Sequence, residues 1–157
     1  MEFNNMMKRI IYISIFLFLG IMINSCNKEE SYSWELEMQK LDEYIEHNNI
    51  TVEPTSGGIY YIETLEGDGV MPKAGDIVTV EYTGTFLDGE EFESGKNTFK
   101  LGIRDAIKGW DIGIAKMKKG GKAILIIPST SAYGISGRGK IPPYTTLVFE
   151  VELLEVN

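Results

Sequence analysis

Soft and nucleophilic side chains are almost missing from this chain. Its 157 residues include one cysteine, Cys26, and one histidine, His47. A lone cysteine excludes an internal disulfide, and one histidine leaves too few ligands for an ordinary zinc or haem site. The same scarcity excludes a Ser/His/Asp or Cys/His centre unless His47 reaches in from a peripheral helix. Positive charge is short as well: 15 basic against 23 acidic residues give a net charge of −8. No basic surface is available to condense on a phosphate backbone, which excludes nucleic acid as a partner. The expected chemistry uses no metal, no cofactor and no covalent intermediate.

Long apolar runs are scarce too, with one exception at the start. Lys8 and Arg9 precede Ile10 to Ile23, an uncharged run of fourteen residues. That is short for a bilayer span of about 20 residues and has the length of a secretory leader. An uncleaved membrane anchor is the alternative. The run ends in "INSC", which resembles the lipobox of bacterial lipoproteins, although Asn24 departs from the usual small residue. Residues 1–25 are therefore expected to be a lipoprotein signal peptide and Cys26 the lipidated residue, anchoring the protein to a membrane without crossing it. Next to Cys26, "NKEES" (Asn27 to Ser31) resembles a short export signal, or is simply a solvated charge cluster. The expected location is the cell envelope, on the periplasmic or surface face of an outer membrane.

Residues 26–56 read as a tether with a short amphipathic helix. Trp34, Met38, Leu41 and Ile45 recur at steps of four, three and four, one apolar stripe on an otherwise charged helix. Asn48 and Asn49 are suitable terminators, and "VEPTSGG" reads as a linker.

Residues 57–157 form the globular domain. "GIYYIET" and "DIVTVEYTGTFL" are rich in β-branched and aromatic residues, and Asp88-Gly89 before "EEFES" signals a tight turn. "NTFKLG", "GKAILIIP" and "TTLVFEVELLEV" are further strands, and "AIKGWDIGIAKM" is the one internal helix. This is an α+β pattern in which that helix must cover a face of an antiparallel sheet. Trp110 raises a question, because Gly109 and Gly113 beside it each cost a helix roughly 1 kcal/mol against alanine.

Seven points fall in order: "VEYTG" with Tyr82, "FES" with Phe92 and Glu93, "TFKLG" with Phe99, "AIKGW" with Ile107 and Trp110, "SAYG" with Tyr133, "KIPP" with Ile141, and "TLVFEVELL" with Phe149. The series resembles the FKBP family of peptidyl-prolyl cis/trans isomerases, the rapamycin-binding immunophilins, over about residues 57 to 157. The resemblance implies a twisted antiparallel β-sheet wrapped around one short α-helix. It implies a proline pocket floored by Trp110 and walled by Tyr82, Phe92, Phe99, Ala106, Ile107, Tyr133, Ile141 and Phe149. Catalytic roles fall to Tyr82, Glu93, the Ile107 backbone N–H and the Tyr133 hydroxyl, and the glycines would let the helix lie close to the sheet. Implied partners are proline-containing polypeptides, with macrolides such as rapamycin as inhibitors.

That chemistry suits the scarcities. Isomerising an X-Pro bond rotates an amide through a barrier of about 18–20 kcal/mol without making or breaking a covalent bond. Some positions depart from the family pattern. "ESGKNT" between Phe92 and Phe99 reads as a shortened loop, Asn97 stands at an aromatic position, Ala106 replaces a common valine, Ser131 precedes "AYG", and Lys140 makes the flap more polar. Weaker or differently selective turnover and lower macrolide affinity are expected. A non-catalytic module that holds proline-containing segments is the alternative reading.

Overall fold

The structure is a computed structural model and describes residues 32–157. The leader, Cys26 and the Asn27 to Ser31 cluster lie outside the described residues. Among the described residues no helix is long and apolar enough to cross a membrane.

In chain order the elements are α1 (Trp34–His47), β1 (Tyr60–Leu65), β2 (Ile77–Thr85), β3 (Glu91–Lys100), α2 (Lys108–Ile114), β4 (Lys122–Ile127) and β5 (Leu147–Val156). The strands form one sheet in the order β1-β4-β5-β2-β3, every neighbouring pair antiparallel. Side chains alternate across a strand, and the alternation sorts the core in two. On the inner face Val78, Val80, Leu125, Ile127, Phe149, Val151 and Leu153 pack with α2 residues Trp110 and Ile114. On the outer face Ile126 and Val148 meet Leu41 of α1, with Tyr60, Ile62 and Ile124 around them.

The glycines of α2 explain its closeness to the sheet. A Cβ on Gly109 would lie 2.4 Å from the Ile127 side chain, and one on Gly113 2.6 Å from Leu125. Neither is tolerable, so the helix sits where only glycine fits, and the lost propensity is offset by packing the indole against the inner face. Regular helix covers Lys108–Ile114, a shorter span than the sequence pattern suggests, because Ile107 is extended as its N-cap.

Two expectations need correction. The segment read as a shortened loop is strand: β3 runs from Glu91 to Lys100, and every residue from Glu93 to Lys100 pairs with β2, Tyr82 opposite Gly95 and Val80 opposite Asn97. The length of β2 supplies a ladder partner for each residue from Glu93 to Thr98, which overrides the turn-like Gly-Lys-Asn, and Thr79 and Thr98 hydroxyls meet across the pair at 2.9 Å. The apolar stripe of α1 holds through Met38, Leu41 and Ile45, which pack on the outer face of the sheet, and fails at its first residue. Trp34 is half exposed, and the buried positions are Glu37 and Leu41. A carboxylate occupies the inward position because three donors await it there. The helix ends as expected: Asn48 donates through its backbone and side chain to the Tyr44 carbonyl, and Asn49 takes a left-handed conformation.

Candidate active site

Trp110 is the centre of an aromatic cluster on the inner face. It is 5% exposed. The Tyr82 ring stands edge-on to it at 4.8 Å, Phe149 edge-on at 5.4 Å, and Phe99 tilted at 5.6 Å. Edge-to-face geometries of this kind are the favoured ones, since a ring's positive edge meets its neighbour's negative face. The indole N–H is buried and has no acceptor among the described residues, so the floor is apolar apart from one idle donor.

Phe92 reaches this cluster because of a β-bulge. The β2–β3 register steps from Gly84 opposite Glu93 to Thr85 opposite Glu91, which leaves Phe92 as the extra residue. A bulge re-aims a side chain that strict alternation would turn away. Phe92 then stands perpendicular to Phe149 at 5.6 Å, with Phe86 behind it at 5.1 Å. Ile141 is buried in the same cluster, presented by a tight hairpin in which Arg138 and Ile141 exchange backbone hydrogen bonds of 2.8 and 2.9 Å. Ala106, Ile107 and Tyr133 pack half-buried against it. All nine residues expected to bind substrate therefore share one contiguous cluster, drawn from five segments of the chain.

Polar groups at the cluster are few. Burial chiefly, then the charge of Glu93, a hydrogen bond to it and the neighbouring Tyr133, push the Tyr82 phenol above its ordinary value of 10.0. Tyr82 thus stays a neutral hydroxyl at physiological pH, and Glu93, itself exposed, is placed as its partner. The Arg138 guanidinium lies 5.5 Å over the Tyr133 ring. The Ile107 N–H takes no part in the backbone hydrogen bonds of the described residues, while its carbonyl starts α2 by accepting from Trp110 at 2.9 Å.

Sequence reasoning missed three contributors here. Asp111 accepts from the N–H groups of Gly102 (2.7 Å) and Arg104 (3.2 Å), fixing the loop that leads to Ala106 and Ile107. Its position next to Trp110, in the first turn of a helix following a glycine-bearing loop, was the available signal. Phe86 and Arg138 left no comparable signal, since their roles depend on partners across the fold. A hollow of 740 Å³ lies elsewhere, between α1, the β2–β3 turn and Tyr144 to Thr146, and contains none of the nine residues. Its walls mix Lys40, Glu43, His47 and Asp88 with aromatics, and no apolar platform converges there. Among the described residues there is no grouping of His, Cys, Asp and Glu able to hold a metal ion.

An antiparallel sheet folded over one short helix, with an aromatic cluster shaped to seat an apolar ring on its inner face, defines the class of the protein. The chain belongs to the FKBP-type peptidyl-prolyl cis-trans isomerase family, whose model matches residues 69–154. It is 46% identical over 112 residues to FK506-binding protein 1 of Saccharomyces cerevisiae, covering 67% of this chain and 98% of that one. It is 48% identical over 101 residues to FK506-binding protein 4 of Dictyostelium discoideum, a match spanning 62% of this chain but only 28% of that longer protein. The crystal structure of FkpA from Escherichia coli superposes with a TM-score of 0.73 at 35% identity, covering 94% of this chain and 71% of that one. The enzyme is accordingly an FKBP-type prolyl isomerase.

Proposed function

We propose that this isomerase turns X-Pro bonds over the Trp110 platform, with proline-containing segments of exported or surface proteins as its substrates. The observation that carries the reading is the convergence of Tyr82, Phe99 and Phe149 around Trp110, with the Ile107 N–H left unengaged beside it. The proline ring would sit on the indole, within Phe92, Ala106, Ile141 and Phe149. The Ile107 N–H and the Tyr133 hydroxyl would donate to substrate carbonyls, and Glu93 would orient Tyr82. A planar amide is strongly polarised by resonance and loses that polarisation when twisted. A dry aromatic cleft therefore disfavours the planar ground state more than the twisted one, and each tenfold of rate needs about 1.4 kcal/mol of that difference.

The leader pattern of residues 1–25, the lipobox-like approach to Cys26 and the likeness to FkpA of a bacterium support a lipid-anchored enzyme of a bacterial envelope. In this reading residues 26–56 contain the tether and α1, and 57–157 the isomerase domain. Labelling of cells with a fatty-acid analogue checks it: label on the wild type and none on Cys26→Ala supports the anchor, and an unlabelled wild type removes it.

The activity is tested with the full chain in mild detergent, on short X-Pro peptides, with and without rapamycin. Acceleration that rapamycin suppresses and that Trp110→Leu and Tyr133→Phe reduce is the expected result. A folded wild-type chain without acceleration would leave only a module that holds proline segments.

A further inference from the structure

We propose that Glu37 of α1 is a positioning residue for the isomerase cleft, clamping both ends of the segment that carries Tyr133 and Ile141. The inference rests on the reading of those two residues as parts of the substrate site.

Chain leaves the sheet at Ile127 and returns at Leu147, and residues 128–146 between them carry the Tyr133 hydroxyl and the Ile141 wall. The segment is tied within itself by the Arg138 and Ile141 pair and by the Tyr144 N–H on the Gly134 carbonyl at 3.1 Å. It therefore tends to move as a unit about its two ends. Both ends meet one carboxylate. Ser129 at the exit donates its N–H to Glu37 Oε1 at 2.6 Å and its hydroxyl to Oε2 at 2.5 Å. Thr146 at the return donates its hydroxyl to Oε1 at 2.8 Å.

Glu37 is 3% exposed, and Ser129 and Thr146 are buried with it. Hydrogen bonds are directional, and a buried donor deprived of its acceptor is penalised. The clamp thus selects one geometry at the base of the segment. It is supplied from 92 and 109 residues earlier in the chain, by a helix outside the span 69–154 that the family model matches. A second tie, from the Ser131 hydroxyl to the Gly57 carbonyl at 3.0 Å, holds the exit alone and cannot couple the two ends. Loosening the base lowers the share of molecules in which Tyr133 and Ile141 stand correctly over Trp110, and apparent efficiency falls by that share.

The test measures kcat and KM for the full chain in mild detergent, with amide hydrogen exchange across residues 130–145. Glu37→Gln keeps the shape but turns one accepting oxygen into a donor. It is expected to lower kcat/KM by about threefold to tenfold while the chain stays folded, and to speed exchange in that segment. Thr146→Val and Ser129→Ala each remove side-chain donation and should give smaller losses in the same direction; they decide the matter if Glu37→Gln does not fold. Leu41→Ala loosens the same helix by packing and leaves the clamp intact, so below its unfolding temperature it should keep wild-type kcat/KM. Folded Glu37→Gln and Thr146→Val with wild-type kinetics and exchange would overturn the proposal. So would a loss in Leu41→Ala equal to that in Glu37→Gln. Trp110→Leu and Tyr133→Phe run alongside: if they too are fully active the cleft reading itself fails, whereas if they are impaired and Glu37→Gln is not, only the clamp fails.

Discussion

The two faces of the sheet are held by different physics. The inner face is a broad apolar core, from Ile59 at one edge to Phe99 and Leu101 at the other, closed by α2. The outer face buries only Leu41, Ile126 and Val148 against α1 and adds one carboxylate with three donors. Area-driven packing tolerates small shifts and accumulates with every methylene, whereas a hydrogen-bonded carboxylate is worth little unless its geometry is met. The face that excludes water is the one suited to amide rotation, and the face with the polar clamp suits positioning. On the proposed reading, chemistry and alignment lie on opposite sides of the same five strands.

The largest effect expected from that contrast is in stability. Leu125→Ala, at a fully buried inner-face position, should cost about 2–5 kcal/mol and lower the midpoint of the whole domain. On the outer face, Leu41→Ala should cost only about 1–2 kcal/mol, because α1 can detach before the sheet unfolds. Hydrogen exchange decides between the two behaviours: α1 amides should open at lower free energy than those of β4 and β5. Equal protection in α1 and β5 would make the two faces a single cooperative unit and break the contrast.

In activity the order reverses from core to floor. Trp110→Leu keeps an apolar side chain but loses the flat platform, and kcat/KM should fall about tenfold or more, about 1.4 kcal/mol in the barrier. A variant with wild-type kinetics would show that the indole is only core. Macrolide binding probes the rim of the same face. Asn97 and Lys140 are both exposed, and an apolar ligand gains less from them than from aromatic or aliphatic neighbours. Rapamycin should bind about tenfold or more weaker than to FK506-binding protein 1 of Saccharomyces cerevisiae, taken as the family prototype, and the double variant Asn97→Phe, Lys140→Ile should recover part of that. Calorimetric affinity equal to the prototype's would show that the rim does not matter.

What could be seen in the sequence divides along the same line. The inner face was legible through the ordered series of aromatic and apolar points that resembles the family; taken alone, the indole between two glycines raised only a question. The continuity of β3 was not, since "SGKNT" has turn chemistry and only the ladder offered by β2 makes it strand. Glu37 was hidden more deeply. Helical periodicity assigns charges to solvent, so the stripe was drawn through Trp34, and the donors that justify a buried carboxylate lie 92 and 109 residues further along. The sheet's alternating pattern identifies which residues are apolar and inward, but it carries no information about a polar pair closed by the tertiary fold.

The smallest expected effect is an absence of pH dependence, and it bears on how the inner face works. If catalysis lies in desolvation and not in proton transfer, kcat/KM should be flat between about pH 6 and 9. A bell-shaped profile with an apparent pKa near 6 or 7 would require an acid or base that this reading does not contain. Burial first, and then Glu93, displace the ionisation of Tyr82 upward, so its hydroxyl remains intact across that window. The same displacement has a consequence for stability. Tyr61, pushed up to about 12 by burial and by its hydrogen bond to and the charge of Glu63, behaves alike at the edge of the sheet. In both, the folded state holds the proton more tightly than the unfolded chain, so the associated stability is complete below pH 10 and is lost as pH rises from there toward the folded value. Denaturant midpoints should accordingly be level up to about pH 9.5 and fall above it. Tyr61→Phe should flatten part of that fall, and Tyr82→Phe another part. A decline starting near pH 8 would point to a different titrating group and separate the stability of the sheet from its tyrosines.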